Sequence, residues 1–212
     1  MTSTLQARNL AIRDLIDRFG LCCTDRDQFF YEWQESILEI TEQEKALLDK
    51  LKAGFFNLVM YPPLLEKPVR EAIVSPLLFL ADLYLPPFHI RAEDSIEVSV
   101  EDDQAAISIR GALDILVLKE NFWLLVIESK RLGISIEEGL AQILTYLLAN
   151  PNREQPSFGL LTNGASFLFI KLAWHDGIPT YATSDQFAMR RRGNDLYEVL
   201  RILKQITTHF CQ

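Results

Sequence analysis

The 212-residue sequence predicts an α/β domain, a mixed central β-sheet flanked by helices, with an N-terminal helical extension. Two runs of apolar, β-branched and aromatic residues, 110–118 and 122–129, flank Lys119-Glu120-Asn121 and read as a β-hairpin. After Arg131 the apolar period lengthens to that of a helix, with Leu140, Ile143, Leu144 and Leu147 on one stripe. A second hairpin follows over 158–172, with the turn pair Asn163-Gly164 at its tip. Strand, strand, helix, hairpin is the order in which a helix crosses over a sheet between two parallel strands.

The elements follow in order. Leu5, Leu10, Ile12, Leu15, Ile16 and Phe19 recur at near-helical spacing over 3–19, and Gly20 supplies a stop. A second helical stretch runs from Asp27 to Ile40 with Phe30, Trp33, Ile37 and Leu38, an aromatic stripe of the kind that packs in a core. Thr41-Glu-Gln-Glu44 has capping-box spacing and opens a helix through Leu47, Leu48, Leu51 and Phe55. Tyr61-Pro-Pro63 then breaks the pattern, so that 1–60 reads as a helical extension packed on the core and 61–212 as the α/β domain. Val69 to Tyr84 predicts a further helix, with Pro76 acceptable only in a first turn or at a kink. Ser95 to Val100 alternates as a half-buried strand, Asp102-Asp103-Gln104 is its turn, and Ala105 to Leu118 continues as the next strand, with Gly111 at a bend or bulge. Ser135-Ile-Glu-Glu138 repeats the capping-box spacing before the crossover helix, and Asn194 to Phe210 closes the chain as an amphipathic helix.

Apolar residues make up 49% of the chain and charged residues 24%, which suffices for an ordinary core. The formal charge of −8 argues against a surface that binds nucleic acid everywhere, while leaving room for a local basic groove. No apolar run reaches the ~20 residues needed to span a bilayer, and Met1 to Gly20 lacks a signal-peptide core, so the expectation is a cytoplasmic protein with no membrane partner. Cys22, Cys23 and Cys211 are too few for a disulfide framework, and His89, His175 and His209 are isolated from one another.

The first hairpin carries charges where a sheet buried on both faces should have none. Glu128 and Lys130 share a face by strand alternation, with Ser129 turned the other way. With Lys119 to Asn121 as a three-residue loop, Leu118 faces Phe122 and Ala112 faces Glu128. Asp114 is then the diagonal same-face neighbour of Glu128, ~7–8 Å away, close enough for two carboxylates to share a cation. Unpaired, such charges are costly in a buried sheet, which points to pairing, to a bound metal or to an opening at the sheet edge.

Gly111-Ala-Leu-Asp114 followed by Ile127-Glu128-Ser-Lys130 resembles the D…(D/E)-x-K signature of the PD-(D/E)xK nuclease superfamily. Glu71, Val74, Pro76, Leu77 and Leu78, then Gln142-Ile-Leu-Thr-Tyr146 and Thr162-Asn163-Gly164, are similar to the N-terminal nuclease domain of type I restriction enzyme R subunits. That likeness covers Glu71 to Leu172.

The resemblance implies a restriction-endonuclease-like fold and metal-dependent hydrolysis of phosphodiesters in DNA. Asp114, Glu128 and the Ser129 main-chain carbonyl are the implied ligands of Mg²⁺ or Mn²⁺. Lys130 is the implied group that positions or deprotonates water, and Gln142 the one that orients it. Glu71, on its own a solvent-facing first-turn acid, becomes by resemblance an outer or second-metal ligand. Arg190-Arg-Arg192 reads either as a solvated turn or as a phosphate contact. Partner subunits of a restriction system, and a homodimer to cut both strands, accord with this reading. The sequence holds no Gly-x-x-x-x-Gly-Lys-Ser/Thr phosphate loop, which argues against a motor nuclease. The reading from another class is a catalytically silent nuclease-fold module for DNA binding or assembly.

Overall fold

The computed structural model describes residues 3–25, 27–34, 38–62, 64–102, 105–120 and 122–211. Ile37, Pro63, Asp103, Gln104 and Asn121, named above as helix or turn residues, lie outside the described residues, as do the side chains of Trp33 and of 93–102. The described strands, in chain order, are β1 (Ser3–Gln6), β2 (Cys22–Cys23), β3 (Phe88–Asp102), β4 (Ala105–Lys119), β5 (Phe122–Ser129), β6 (Ser157–Thr162), β7 (Ser166–His175), β8 (Ile178–Thr183) and β9 (Phe187–Ala188). Together they form one mixed nine-stranded sheet along β1-β4-β5-β6-β7-β8-β2, with β3 on β4 and β9 on β7.

Helices cover both faces. α3 (Glu42–Val59), α4 (Glu66–Val69), α5 (Ser75–Leu80) and α7 (Leu196–Cys211) enclose a core with Ile115, Val117, Leu125, Ile127, Phe158, Leu160 and Phe169. α1 (Ile12–Phe19) and α6 (Leu140–Leu148) enclose another with Leu116, Val126, Leu161 and Ile170. The short α2 (Tyr31–Gln34) completes the set, and no helix among the described residues is long and apolar enough to cross a membrane.

The first 60 residues are more than a helical extension. Ser3–Gln6, expected to be helical, pairs in parallel with 107–110 of β4, and Cys22–Cys23 pairs in parallel with β8. Thr41 forms the expected capping box, its hydroxyl accepting from Glu44 N at 3.2 Å and its N–H donating to Glu44 Oε2 at 2.7 Å. Ser135 does not: its hydroxyl bonds the Glu137 carboxylate, and the crossover begins as a 3₁₀ turn, Ile136–Gly139, before α6. The expected helix around Pro76 begins earlier, at Glu66, and passes through a π-helical turn, Arg70–Val74, into α5. Pro76 lacks the N–H that a regular ladder would use, and the wider turn lets Ser75 N reach back to Arg70 O.

The β4–β5 register differs from the three-residue-loop expectation. Lys119 pairs with Phe122, so the turn has two residues, with Glu120 at φ +54°. Leu118 pairs with Trp123 but Val117 with Leu125, leaving Leu124 as an extra, bulged residue. The shorter turn alone would put Asp114 and Glu128 on opposite faces. The bulge restores the parity, and past Ile115↔Ile127 the register sets Asp114 level with Glu128 on the α6 side. β3 follows one edge of β4 throughout, whereas the other edge is shared: β1 pairs with 107–110 and β5 with 115–119. Residues 111–114 therefore have neither neighbour strand on that edge.

Candidate active site

The notch between β1 and β5 holds a chain of hydrogen-bonded polar side chains. Asp114 Oδ2 accepts from Ser129 N at 2.7 Å and from Ser129 Oγ at 2.5 Å. In a continued antiparallel ladder that N–H would seek a β4 carbonyl, so the carboxylate both ends the pairing and substitutes for it. The N–H and C=O of one residue leave a strand on the same edge, so the Ser129 carbonyl also faces the notch. Asp114 Oδ1 lies 3.4 Å from Arg70 Nη1, a cation brought in by the first residue of the π-helical turn.

Glu128 is 4% exposed. Its Oε1 accepts from Lys130 Nζ at 2.8 Å, while its Oε2 has no hydrogen-bond partner. Burial, then the neighbouring Asp114 charge, pushes the Glu128 carboxyl from 4.5 up to about 7; Lys130 pulls the other way, and Glu66 adds a smaller upward push. Lys130 Nζ also donates to Gln142 Oε1 at 2.7 Å. An ammonium can only donate, so the Gln142 amide must turn its oxygen to Lys130 and its nitrogen away. That Nε2 donates to Tyr146 OH at 3.0 Å, and the hydroxyl donates to Ala112 O at 3.0 Å, on the unpaired edge of β4. Burial pushes the Tyr146 phenol up to about 12, so the hydroxyl remains a donor at any ordinary pH.

Two glycines make room for this chain. A Cβ at Gly111 would lie 2.6 Å from Tyr146 Cε1 and 2.9 Å from Ala7 Cβ. Gly111 stands in register with Ile96 of β3, so close approach and not the expected bend accounts for it. A Cβ at Gly139 would lie 2.6 Å from Leu161 Cδ1 and 3.1 Å from Lys130 Cε. Asn163, in the turn between β6 and β7, holds the loop after Lys130 by donating Nδ2 to Ile134 O at 2.8 Å, while its Oδ1 accepts from Ala165 N and Ser166 N.

Asp114, Glu128, Ser129, Lys130, Gln142 and Tyr146 thus meet in one cluster; Glu71 does not. Its carboxylate is 66% exposed, lies 4.0 Å from Lys67, and lines an apolar groove of about 830 Å³ with Leu47, Phe55 and Phe79. The reason is helical phase: Glu66 and Arg70, four apart, share the stripe that faces the cluster, and Glu71 is about 100° further round. A helix expected to begin at Val69 leaves Glu66 out and includes Arg70 without marking it as a site residue. Pro68 sits in the first turn of α4, where its missing N–H would have no partner in any case, so the helix can start before it.

Among the described residues no three His, Cys, Asp or Glu side chains gather as a ready-made metal cage. Asp114 and Glu128 with a main-chain carbonyl nonetheless make an oxygen donor set of the kind Mg²⁺ uses, since that ion keeps several waters, and the partnerless Glu128 Oε2 is suited to a cation. A further buried charge pair among the described residues involves β7. There Lys171 Nζ, 2.5 Å from Glu32 Oε1, donates to Phe29 O at 2.7 Å; burial pushes its amine down and Glu32 pulls it up.

No protein-family model matches the chain, and no curated protein matches it.

Proposed function

We propose that the protein is a Mg²⁺- or Mn²⁺-dependent nuclease of the PD-(D/E)xK type, hydrolysing phosphodiester bonds of DNA as a restriction-type endonuclease domain without a motor. One observation carries the reading. Two carboxylates on one sheet face, one with a buried oxygen lacking a partner, sit beside a lysine that a glutamine and a tyrosine hold in place.

Asp114, Glu128 and the Ser129 carbonyl would hold the cation, which when bound supplies positive charge to polarise the phosphate and acidify water. Lys130, tethered between Glu128 and Gln142, hydrogen-bonds the attacking water and offsets charge growing on the phosphate. Gln142 and Tyr146 fix the reach of that ammonium from the Ala112 edge. Arg70 neutralises Asp114 while no cation is near, and Glu66, one helical turn before Arg70, adds negative charge to the surroundings of Glu128.

A second reading has a specific observation behind it: Asp114 and Glu128 are matched in number by Arg70 and Lys130, so the cluster is charge-balanced as it stands. A silent DNA-binding or assembly module would look the same.

Incubation with supercoiled plasmid and Mg²⁺ or Mn²⁺ separates the two. The nuclease reading expects metal-dependent nicking or linearisation that Asp114→Ala and Lys130→Ala abolish. Intact plasmid in every lane, or cleavage equal in all three proteins, sinks it for this chain.

A further inference from the structure

Arg190-Arg191-Arg192 concentrates positive charge in a chain whose net charge is −8, and all three residues are exposed. The turn that carries them is fixed from several sides. Met189, 1% exposed, anchors it, and Met189 N donates to Ala165 O at 2.9 Å. Arg191 N closes back on Ala188 O at 3.2 Å, and Ala188 N donates to Asp195 Oδ2 at 2.9 Å. Lys52 Nζ, from α3, donates to the carbonyls of both Arg191 and Gly193. A fourth cation therefore holds the backbone beneath three guanidinium groups. Three like charges on a rigid turn repel one another, and an anion bound across them would relieve that repulsion.

The arginines themselves are only lightly engaged. Arg190 lies over the Phe56 ring at 5.9 Å, Arg191 is 67% exposed and 3.5 Å from Asp195, and among the described residues Arg192 meets no carboxylate. Their position follows from the sheet. Ser129 pairs with Thr162, Thr162 with Phe167 and Phe167 with Phe187, so one row of residues leads from the candidate site to the strand just before the turn. Three strand spacings of ~4.8 Å put Phe187, three residues before the first arginine, about 14 Å from Ser129 at the same end of the sheet.

We propose that Arg190, Arg191 and Arg192 form a phosphate-binding ridge. It seats the backbone of duplex DNA at the end of the sheet that also carries the Asp114–Glu128 cluster. The inference rests on the nuclease reading for what the duplex meets beyond the ridge, but not for the ridge itself. Three guanidinium groups on a fixed turn bind phosphates without reading bases, so they set the register of the duplex and leave its sequence unread.

The test is binding of the full chain to a short fluorescent duplex in EDTA, where nothing is cut, with affinity followed from 50 to 200 mM salt. Replacing the three arginines by alanine should weaken binding at least tenfold. It should also flatten the slope of log affinity against log salt by about 2 to 3, near 0.9 for each lost phosphate contact. Replacement by lysine should keep most of the slope, and circular dichroism of both variants should match wild type, because the side chains are exposed. An unchanged slope in the alanine variant, or no measurable duplex binding by wild type, overturns the ridge. So does binding to phosphatidylserine vesicles as tight as to duplex with the same loss on substitution, since it would reassign the phosphates to a lipid surface. The two readings fail separately: salt-sensitive binding with no cleavage in Mg²⁺ defeats hydrolysis and keeps the ridge, whereas cleavage with an unchanged slope defeats the ridge alone.

Discussion

Glu128 should lower stability at the pH where it would work, and Glu128→Gln exposes this. Its carboxyl stands at about 7 in the folded chain against an ordinary 4.5, mainly through burial and next through Asp114. A carboxyl whose folded pKa is raised favours the folded state while it is protonated. That contribution is fully present below pH 4.5 and is lost as pH rises through about 7. At roughly 1.4 kcal/mol per pH unit, the gap amounts to about 3 kcal/mol. Glutamine keeps the shape and the acceptor for Lys130 but cannot ionise, so the variant should gain on wild type by about 3 kcal/mol between pH 4 and pH 8. For a chain of this size that is a relative rise in Tm of about 6–12 °C. Thermal unfolding of both proteins across that range measures it, and titrating groups remote from Glu128 cancel in the difference. Parallel pH–stability curves would refute the reasoning, since Glu128 would then ionise as it does in an unfolded chain.

Other substitutions probe the packing and the helix acid. Gly111→Ala drives a methyl into Tyr146 and Ala7, and should cost about 1–3 kcal/mol in chemical denaturation while lowering any nuclease rate through the displaced Tyr146–Gln142–Lys130 chain. Glu66→Gln should lower the folded pKa of Glu128, read by ¹³C NMR titration, whereas Glu71→Gln should leave both that pKa and activity at wild-type values. Lys171→Met strands Glu32 without its partner in a buried setting and should destabilise by about 3–5 kcal/mol, leaving metal binding unaltered.

The hairpin was legible because β4 and β5 are almost unbroken apolar runs with charges at one end. Its register was not: a three-residue loop and a two-residue turn with a bulge at Leu124 predict the same faces for Asp114 and Glu128 but different pairings. The bulge leaves no mark in composition, since Leu124 and Leu125 both pack into the core shared with α3 and α7. β1 and β2 are not legible in the sequence for another reason. Four and two residues at sheet edges are specified by the strands they join, and Ser3–Gln6 is mostly polar. Gln142 and Tyr146 were legible from their spacing on α6, since residues four apart share a helix face. Glu66 required the true start of its helix, three residues before Val69. Ser135 shows the opposite failure, a capping sequence whose serine bonds a neighbouring side chain instead of the helix backbone.

The most direct test of a cation site at Asp114 and Glu128 is calorimetric titration with Mn²⁺ at pH 7.5. Wild type should bind one Mn²⁺ per chain, with binding weakened at least a hundredfold in Asp114→Ala and Glu128→Gln and unchanged in Glu71→Gln. Equal binding by all four proteins, or none by wild type at millimolar Mn²⁺, would contradict it.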